Sequence, residues 1–129
     1  MPGERDLARL LASLDVARRP GRFTFVTGDW PALAGAAHAT VSEAEGPTYV
    51  VPVDDAVAAG APVGFEAAWL TITVWSALEA VGLTAAVSQV LAEAGIPCNM
   101  IAGYHHDHLL VPVDSADAAI ARLRALGGS

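Results

Sequence analysis

The sequence predicts an α+β protein made of two related ferredoxin-like modules in tandem, each with an antiparallel sheet. The first observation is a repeated phrase: Val51-Pro52-Val53-Asp54-Asp55-Ala56 returns 60 positions later as Val111-Pro112-Val113-Asp114-Ser115-Ala116. Each copy closes an apolar run and opens an Ala-rich stretch. Proline suits a strand end, where its missing N–H costs no ladder bond, and the Asp that follows can cap a helix. A strand–helix junction repeated at fixed spacing marks two like supersecondary units. Secondly, the same shift lays Ala39–Val53 over Asn99–Val113, so the hairpins coincide as well. Thirdly, the second half reads β-α-β-β-α, a split β-α-β arrangement that lacks its last strand. An incomplete sheet leaves an edge to cover, so the halves, or two subunits, are expected to complete each other.

Leu7, Leu10, Leu11 and Leu14 recur at helical spacing, which predicts an amphipathic helix over 6–16 with Asp6 as N-cap. Phe23 and Phe25 alternate with Thr24 and Val26, a strand over 22–27. Gly28-Asp29-Trp30-Pro31 is turn chemistry leading into a short segment that ends at Gly35. Strands over 37–44 and 48–53 are joined at Glu45-Gly46-Pro47, and a short helix over 54–60 ends at Gly60. Ala68 to Trp75 reads as a strand, with Trp69, Thr71, Thr73 and Trp75 on one face and Leu70, Ile72 and Val74 on the other. A helix over 84–94 presents Val87, Val90, Leu91 and Ala94, and Gly95 suits the C′ position. Strands over 98–103 and 108–113 flank a turn at Tyr104-His105-His106-Asp107. The last helix, 115–126, buries Ala116, Ala119, Ile120 and Leu123. The expected modules are residues 1–64, carrying the N-terminal helix, and 65–129.

Composition narrows the partners. With 53% hydrophobic and only 16% charged residues, the polar coat is thin, which favours burial of surface in a homo-oligomer, most simply a homodimer. The net charge of −7 repels phosphate backbones and anionic membrane faces, so neither nucleic acid nor membrane is an expected partner. The single cysteine, Cys98, forms no intrachain disulfide and no Cys-rich zinc site. The start of the chain lacks the apolar core of a signal peptide. Ala67 to Val90 is long and mostly apolar, yet Glu79 and Gly82 interrupt it, and a strand, turn and helix account for it better than a membrane span. A soluble cytoplasmic protein is expected.

Two clusters offer reactive side chains. His105-His106-Asp107-His108 has the residue types of a transition-metal site. Neighbours on a strand point to opposite faces, and besides the distant His38 no third ligand is evident, so a polar hairpin tip is the better reading. Cys98 with a histidine base would make a nucleophile. A single Cys opening a strand after Gly95-Ile96-Pro97 is more simply a small buried hydrophobe. Ser76 and Glu79 lack partners in any nucleophile motif, and neither a P-loop nor a dinucleotide fingerprint occurs. The loop Val81-Gly82-Leu83-Thr84 is quieter: it delivers the chain into a helix N-terminus, whose free N–H groups and dipole attract a carboxylate. Gly82 allows close backbone approach there, or serves only as turn punctuation. Asn99 opens the neighbouring strand, where its amide could face the same loop end.

Val81-Gly82-Leu83-Thr84-Ala85-Ala86-Val87-Ser88, followed by Leu91-Ala92-Glu93-Ala94-Gly95-Ile96-Pro97-Cys98-Asn99-Met100-Ile101, resembles the first strand–helix–strand passage of an ACT domain. Tyr104-His105-His106-Asp107-His108-Leu109-Leu110-Val111-Pro112-Val113 is similar to the signature of small stand-alone tandem ACT proteins. The resemblance covers about 70–126 and is weaker over 22–66, where it rests on the repeat. It implies βαββαβ modules that bind an amino acid or another small effector where modules meet, with no catalysis and no cofactor. By the same resemblance Gly82, Leu83 and Thr84 present backbone N–H groups to a ligand carboxylate, flanked by Asn99 and Ile101, and Val81 joins them as a ligand-binding residue of the loop. The first module lacks the matching Gly loop and long helix, so one ligand site per chain is implied.

Three functions follow in order: a non-catalytic module sensing an amino acid, a structural oligomerisation unit without ligand, and a small metal protein or enzyme using His105, His106, His108 or Cys98.

Overall fold

Asp6 starts the first helix, its carboxylate accepting the N–H groups of Ala8 at 2.9 Å and Arg9 at 3.4 Å. In the structure, a computed structural model that describes residues 3–127, that helix is α1 (Leu7–Ala12). There follow β1 (Val16–Arg18), β2 (Phe23–Thr27), α2 (Pro31–Ala34), β3 (Ala39–Glu43), β4 (Gly46–Pro52) and α3 (Val53–Ala59). The second half holds β5 (Ala67–Ile72), α4 (Leu83–Glu93), β6 (Asn99–Ala102), β7 (Asp107–Pro112) and α5 (Ala116–Leu126), with one 3₁₀ turn at Val113–Ser115 before α5. The chain divides into two units: Pro20–Ala68 forms one, and the segments up to Arg19 and from Trp69 onward form the other. The second of these units is discontinuous in sequence, because α1 and β1 fold with the C-terminal segments.

In the inner unit β4 lies between β3 and β2, all antiparallel, with Phe25 opposite Val50 and Ala39 opposite Val50 on its other side. Ala67 pairs with Phe23 on the far side of β2. Period-two alternation sends Val26 and Val51 to the face covered by α2 and α3, where they pack with Leu33, Ala56 and Ala61. Gly60 ends α3 at φ 78°, a left-handed turn open to glycine without steric cost. The order β-α-β-β-α-β is that of a ferredoxin-like module with a four-residue first helix.

The outer unit has strand order β1-β5-β7-β6. Here the strand missing from the second half is supplied by Val16–Arg18, which pairs antiparallel with β5 through Val16–Ile72, Ala17–Thr71 and Arg18–Leu70. Leu83, Val87 and Leu91 of α4 and Ala116, Ala119 and Leu123 of α5 are buried, as is the Leu109–Val111 run of β7. Ile120 and Val90 are only half-buried. β5 is buried at Ala67, Ala68, Trp69, Leu70 and Ile72, so it reads as a nearly continuous apolar run.

Three local expectations change. The first helix stops at Ala12, well short of residue 16, because Ser13 caps it and Val16 already pairs with β5. β5 ends at Ile72 rather than at residue 75. Beyond it the Thr73 N–H bonds the Asp15 carbonyl at 3.0 Å, the Trp75 carbonyl accepts the Glu4 N–H at 2.8 Å, and the Val74 carbonyl lies 3.2 Å from His106 Nδ1. The Thr73–Asp15 bond still keeps the β1 register, and past it the Val74 and Trp75 carbonyls turn to His106 and Glu4, so the ladder stops. The repeated Val-Pro-Val-Asp junctions do turn strand into helix, with Pro52 and Pro112 at the cap positions, but no side chain caps either helix start. Asp54, Asp55 and Asp114 act through charge in the first turn.

Candidate functional site

The loop between β5 and α4 and the turn between β6 and β7 enclose one cleft of about 140 Å³ in the outer unit. Ser76, Ala77, Leu78 and Ala80 line it from the loop, Gly82, Leu83 and Thr84 from the start of α4, and Ala102, Gly103 and Asp107 from the hairpin. Gly82 is the N-cap of α4 at φ 104°, a conformation that favours glycine, and it carries no side chain to cap the helix. The first helical bond runs from the Ala86 N–H to the Gly82 carbonyl at 2.9 Å. The N–H groups of Leu83, Thr84 and Ala85 precede it and have no helical acceptor, leaving partial positive charge at the helix end.

Asp107 supplies the opposite sign. Its carboxylate makes no hydrogen bond or ion pair among the described residues, and burial raises its pKa above the ordinary Asp value, partly offset by His106. A desolvated carboxylate and an uncapped helix start thus line the same small cleft. That pairing can hold the ammonium and the carboxylate of a zwitterion. A simple anion would meet the Asp107 charge with nothing to offset it.

The residues expected from the sequence divide here. Gly82, Leu83 and Thr84 line the cleft, Leu83 with its side chain buried. Val81 is 83% exposed and lies outside the lining. Asn99 is exposed opposite Leu110, and Ile101 is half-buried opposite His108; neither lines the cleft. The sequence places Asp107 in a hairpin tip, whereas in the structure it opens β7. Its place at the start of a strand, two residues before the buried Leu109–Val111 run, was the available signal.

The histidines serve the scaffold. His108 Nδ1 lies 3.2 Å from the Trp69 indole nitrogen and 2.9 Å from the Thr71 hydroxyl. The Arg19 guanidinium stacks on Trp69 at 4.0 Å. Burial, then the charges of Arg19 and His106, lower the His108 pKa below its ordinary value. His105 packs between the rings of Trp75 and Tyr104, with centroids at 5.3 and 5.1 Å. Among the described residues no group of three or more His, Cys, Asp or Glu side chains is arranged to hold a metal ion. Burial pushes the Cys98 thiol up, away from the reactive thiolate. No helix of the described chain is long and apolar enough to cross a membrane.

Two ferredoxin-like modules in tandem, the second completed by β1 from the N-terminal segment, define the class of the fold. The chain belongs to the ACT-domain family: sequence profiles described as ACT domain match residues 2–68 and 65–125. ACT domains are regulatory modules that bind small effectors and often associate. A solved structure from Vibrio cholerae, a protein of unknown function described as a possible transport protein, is 38% identical over 94% of this chain and 95% of its own, with TM-score 0.84. An Agobacterium tumefaciens protein matches at 16% identity and TM-score 0.65 over 88% of this chain and 89% of its own. The ligand-free regulatory subunit of aspartate kinase from Thermus thermophilus matches at 14% identity and TM-score 0.65, over 90% of this chain and 97% of its own. No curated protein is detectably similar to the chain in sequence.

Proposed function

We propose that this protein is a non-catalytic regulatory module whose cleft binds a free α-amino acid. The observation that carries the reading is the juxtaposition of the uncapped α4 start at Gly82–Thr84 with the unpaired Asp107 in one cleft. The helix start takes the α-carboxylate and Asp107 takes the α-ammonium. At about 140 Å³ the cleft suits a small ligand, well below the roughly 300–1,000 Å³ of drug-sized sites. The likeness to a regulatory subunit of aspartate kinase supports a role in controlling a separate partner. Asn99 and Ile101, on the adjoining strand β6, are proposed to frame the ligand once it is bound.

Thermal-shift and calorimetric titration against the common amino acids test this, because a ligand that favours the native state raises its melting temperature. A zwitterion that stabilises the protein, with its deaminated and decarboxylated analogues inert, is the expected result. A panel with no shift would overturn the proposal.

A second reading, a self-associating scaffold with no ligand, is favoured by Val41 at 51% and Phe65 at 37% exposure in the inner unit. We place the protein in the cytoplasm as a homodimer. Sedimentation across a range of concentrations checks the association, and a monomer at every concentration would remove it.

A further inference from the structure

The wall of the cleft has little regular structure of its own. From Thr73 to Gly82 the chain forms neither helix nor strand. What lies behind it is the segment Gly3–Leu7. Glu4 forms a parallel bridge with Ser76, its N–H donating to the Trp75 carbonyl at 2.8 Å and its carbonyl accepting the Ala77 N–H at 2.8 Å. Arg5 reaches Glu79 Oε1 through Nε at 3.1 Å and through a terminal guanidinium nitrogen. Leu7 sits so close to Gly82 that a Cβ there would lie 2.9 Å from Leu7 Cδ2. Gly3, at φ +88°, is equally confined: a Cβ would lie 2.8 Å from the Ala77 nitrogen and 2.9 Å from the Ser76 carbonyl carbon.

Ala77 and Gly82, the residues these contacts fix, line the cleft themselves. The attachment is also open to solvent, with the Arg5 and Glu79 side chains 69% and 52% exposed. An exposed ion pair and two backbone bonds hold a segment weakly enough to open by itself while the core stays folded. A second clasp joins the wall to the hairpin turn, through the Trp75 indole N–H to the Tyr104 carbonyl at 3.3 Å and through His106 Nδ1 to the Val74 carbonyl at 3.2 Å. The Gly3–Leu7 contacts secure the other end of the wall, next to α4.

We propose that Gly3–Leu7 is a regulatory strap: docked, it orders residues 75–82 and the start of α4 and sets the cleft in its binding form. Released, it lets the wall loosen and the affinity fall. The consequence for affinity rests on the reading of the cleft as an amino-acid site, whereas the ordering of the wall stands without it. By linkage, an occupied cleft favours the docked strap by the same factor by which the docked strap favours occupancy.

Amide hydrogen exchange on the full chain tests the ordering with no ligand present. Gly3→Val drives a side chain into Ala77, and Glu4→Pro removes the N–H that bonds Trp75; the second variant serves if the first does not fold. The expected result is at least about tenfold faster exchange at Ala80 and Ala86, whose amides bond the Ala77 and Gly82 carbonyls and not the strap, with Leu109 and Leu110 unchanged. Unchanged Ala80 and Ala86 in a folded variant would overturn the strap. Titration with L-alanine then reads the coupling, with slowed exchange at the Glu4 amide of the unmodified protein expected. Binding of L-alanine that leaves Glu4 unaffected would overturn the coupling. Failure of L-alanine to bind would count against the cleft reading for this amino acid, and the exchange result would still decide the strap.

Discussion

The indole N–H of Trp69 donates to Nδ1 of His108 over 3.2 Å. An indole only donates, so Nδ1 carries a lone pair and the ring proton of the neutral imidazole sits on Nε2. The Thr71 hydroxyl lies 2.9 Å from the same nitrogen. A protonated ring would turn N–H toward N–H, and burial with the charges of Arg19 and His106 also lowers the His108 pKa.

A pH dependence follows with a definite sign. The unfolded chain takes up this proton near the ordinary His value of about 6.5, and the folded chain only below it. His108 therefore contributes its full stability above that value and loses it as pH falls toward the folded pKa. Urea midpoints should drop between pH 7.5 and 5.5, and His108→Phe should flatten the drop. The same variant removes the acceptor of the Trp69 indole, so it should lose about 1–3 kcal/mol at pH 7.5.

Asp107→Asn separates stability from binding. Removing a desolvated charge should leave the fold at pH 7 as stable as before or slightly more so, because the raised pKa marks a carboxylate held at a cost. Affinity for a responding amino acid should fall by about 10- to 100-fold, the scale of a hydrogen bond to a charged group. In the unmodified protein, affinity should rise with pH through the folded Asp107 pKa, since only the ionised carboxylate pairs with ammonium. Calorimetry at pH 4.5, 6 and 7.5 reads both effects.

Gly82→Asp should abolish binding and still fold. At φ 104° any side chain is strained, at roughly 1–3 kcal/mol, and its Cβ would meet Leu7. Gly82→Ala carries the same strain without the charge. Weaker loss of affinity in the Ala variant than in the Asp variant is the expected order, read by calorimetry alongside melting curves. Equal losses would assign the whole effect to backbone strain.

Leu91→Ala and Val41→Ala contrast core with surface. Leu91 is fully buried in α4, so truncation should cost about 2–5 kcal/mol by denaturant unfolding. Val41 is 51% exposed, and the same truncation should stay within about 0.5 kcal/mol. A Val41 effect that grows with protein concentration would point to self-association through β3.

Periodicity and turn chemistry carried most of the fold. The Leu7–Leu14 spacing, the Phe23–Val26 alternation and Gly60 and Gly95 placed helices and strands within a few residues of where they lie. β1 left no such trace. Three residues, Val16–Arg18, are too few to show alternation, and their strand character comes from pairing with β5, more than fifty residues along the chain. At the site, Gly82–Thr84 were legible because a glycine before a helix start has a local chemical meaning. Asp107 was not, since the absence of a partner for a carboxylate is a property of three-dimensional surroundings. Three neighbouring histidines have the residue types of a metal site, whereas His108 and His106 engage their Nδ1 atoms with Trp69, Thr71 and Val74.

Pro20–Ala68 is inserted in sequence between the two segments of the other unit, and that order governs how the chain folds as it is made. The inner unit is contiguous and holds nearly all its own pairings once Ala67 has left the ribosome. Residues 16–18 wait until β5 emerges to find their partner, and the core they join needs β7 and α5 as well. Nascent chains should therefore acquire structure from the middle outward, with Val16–Arg18 among the last segments to settle.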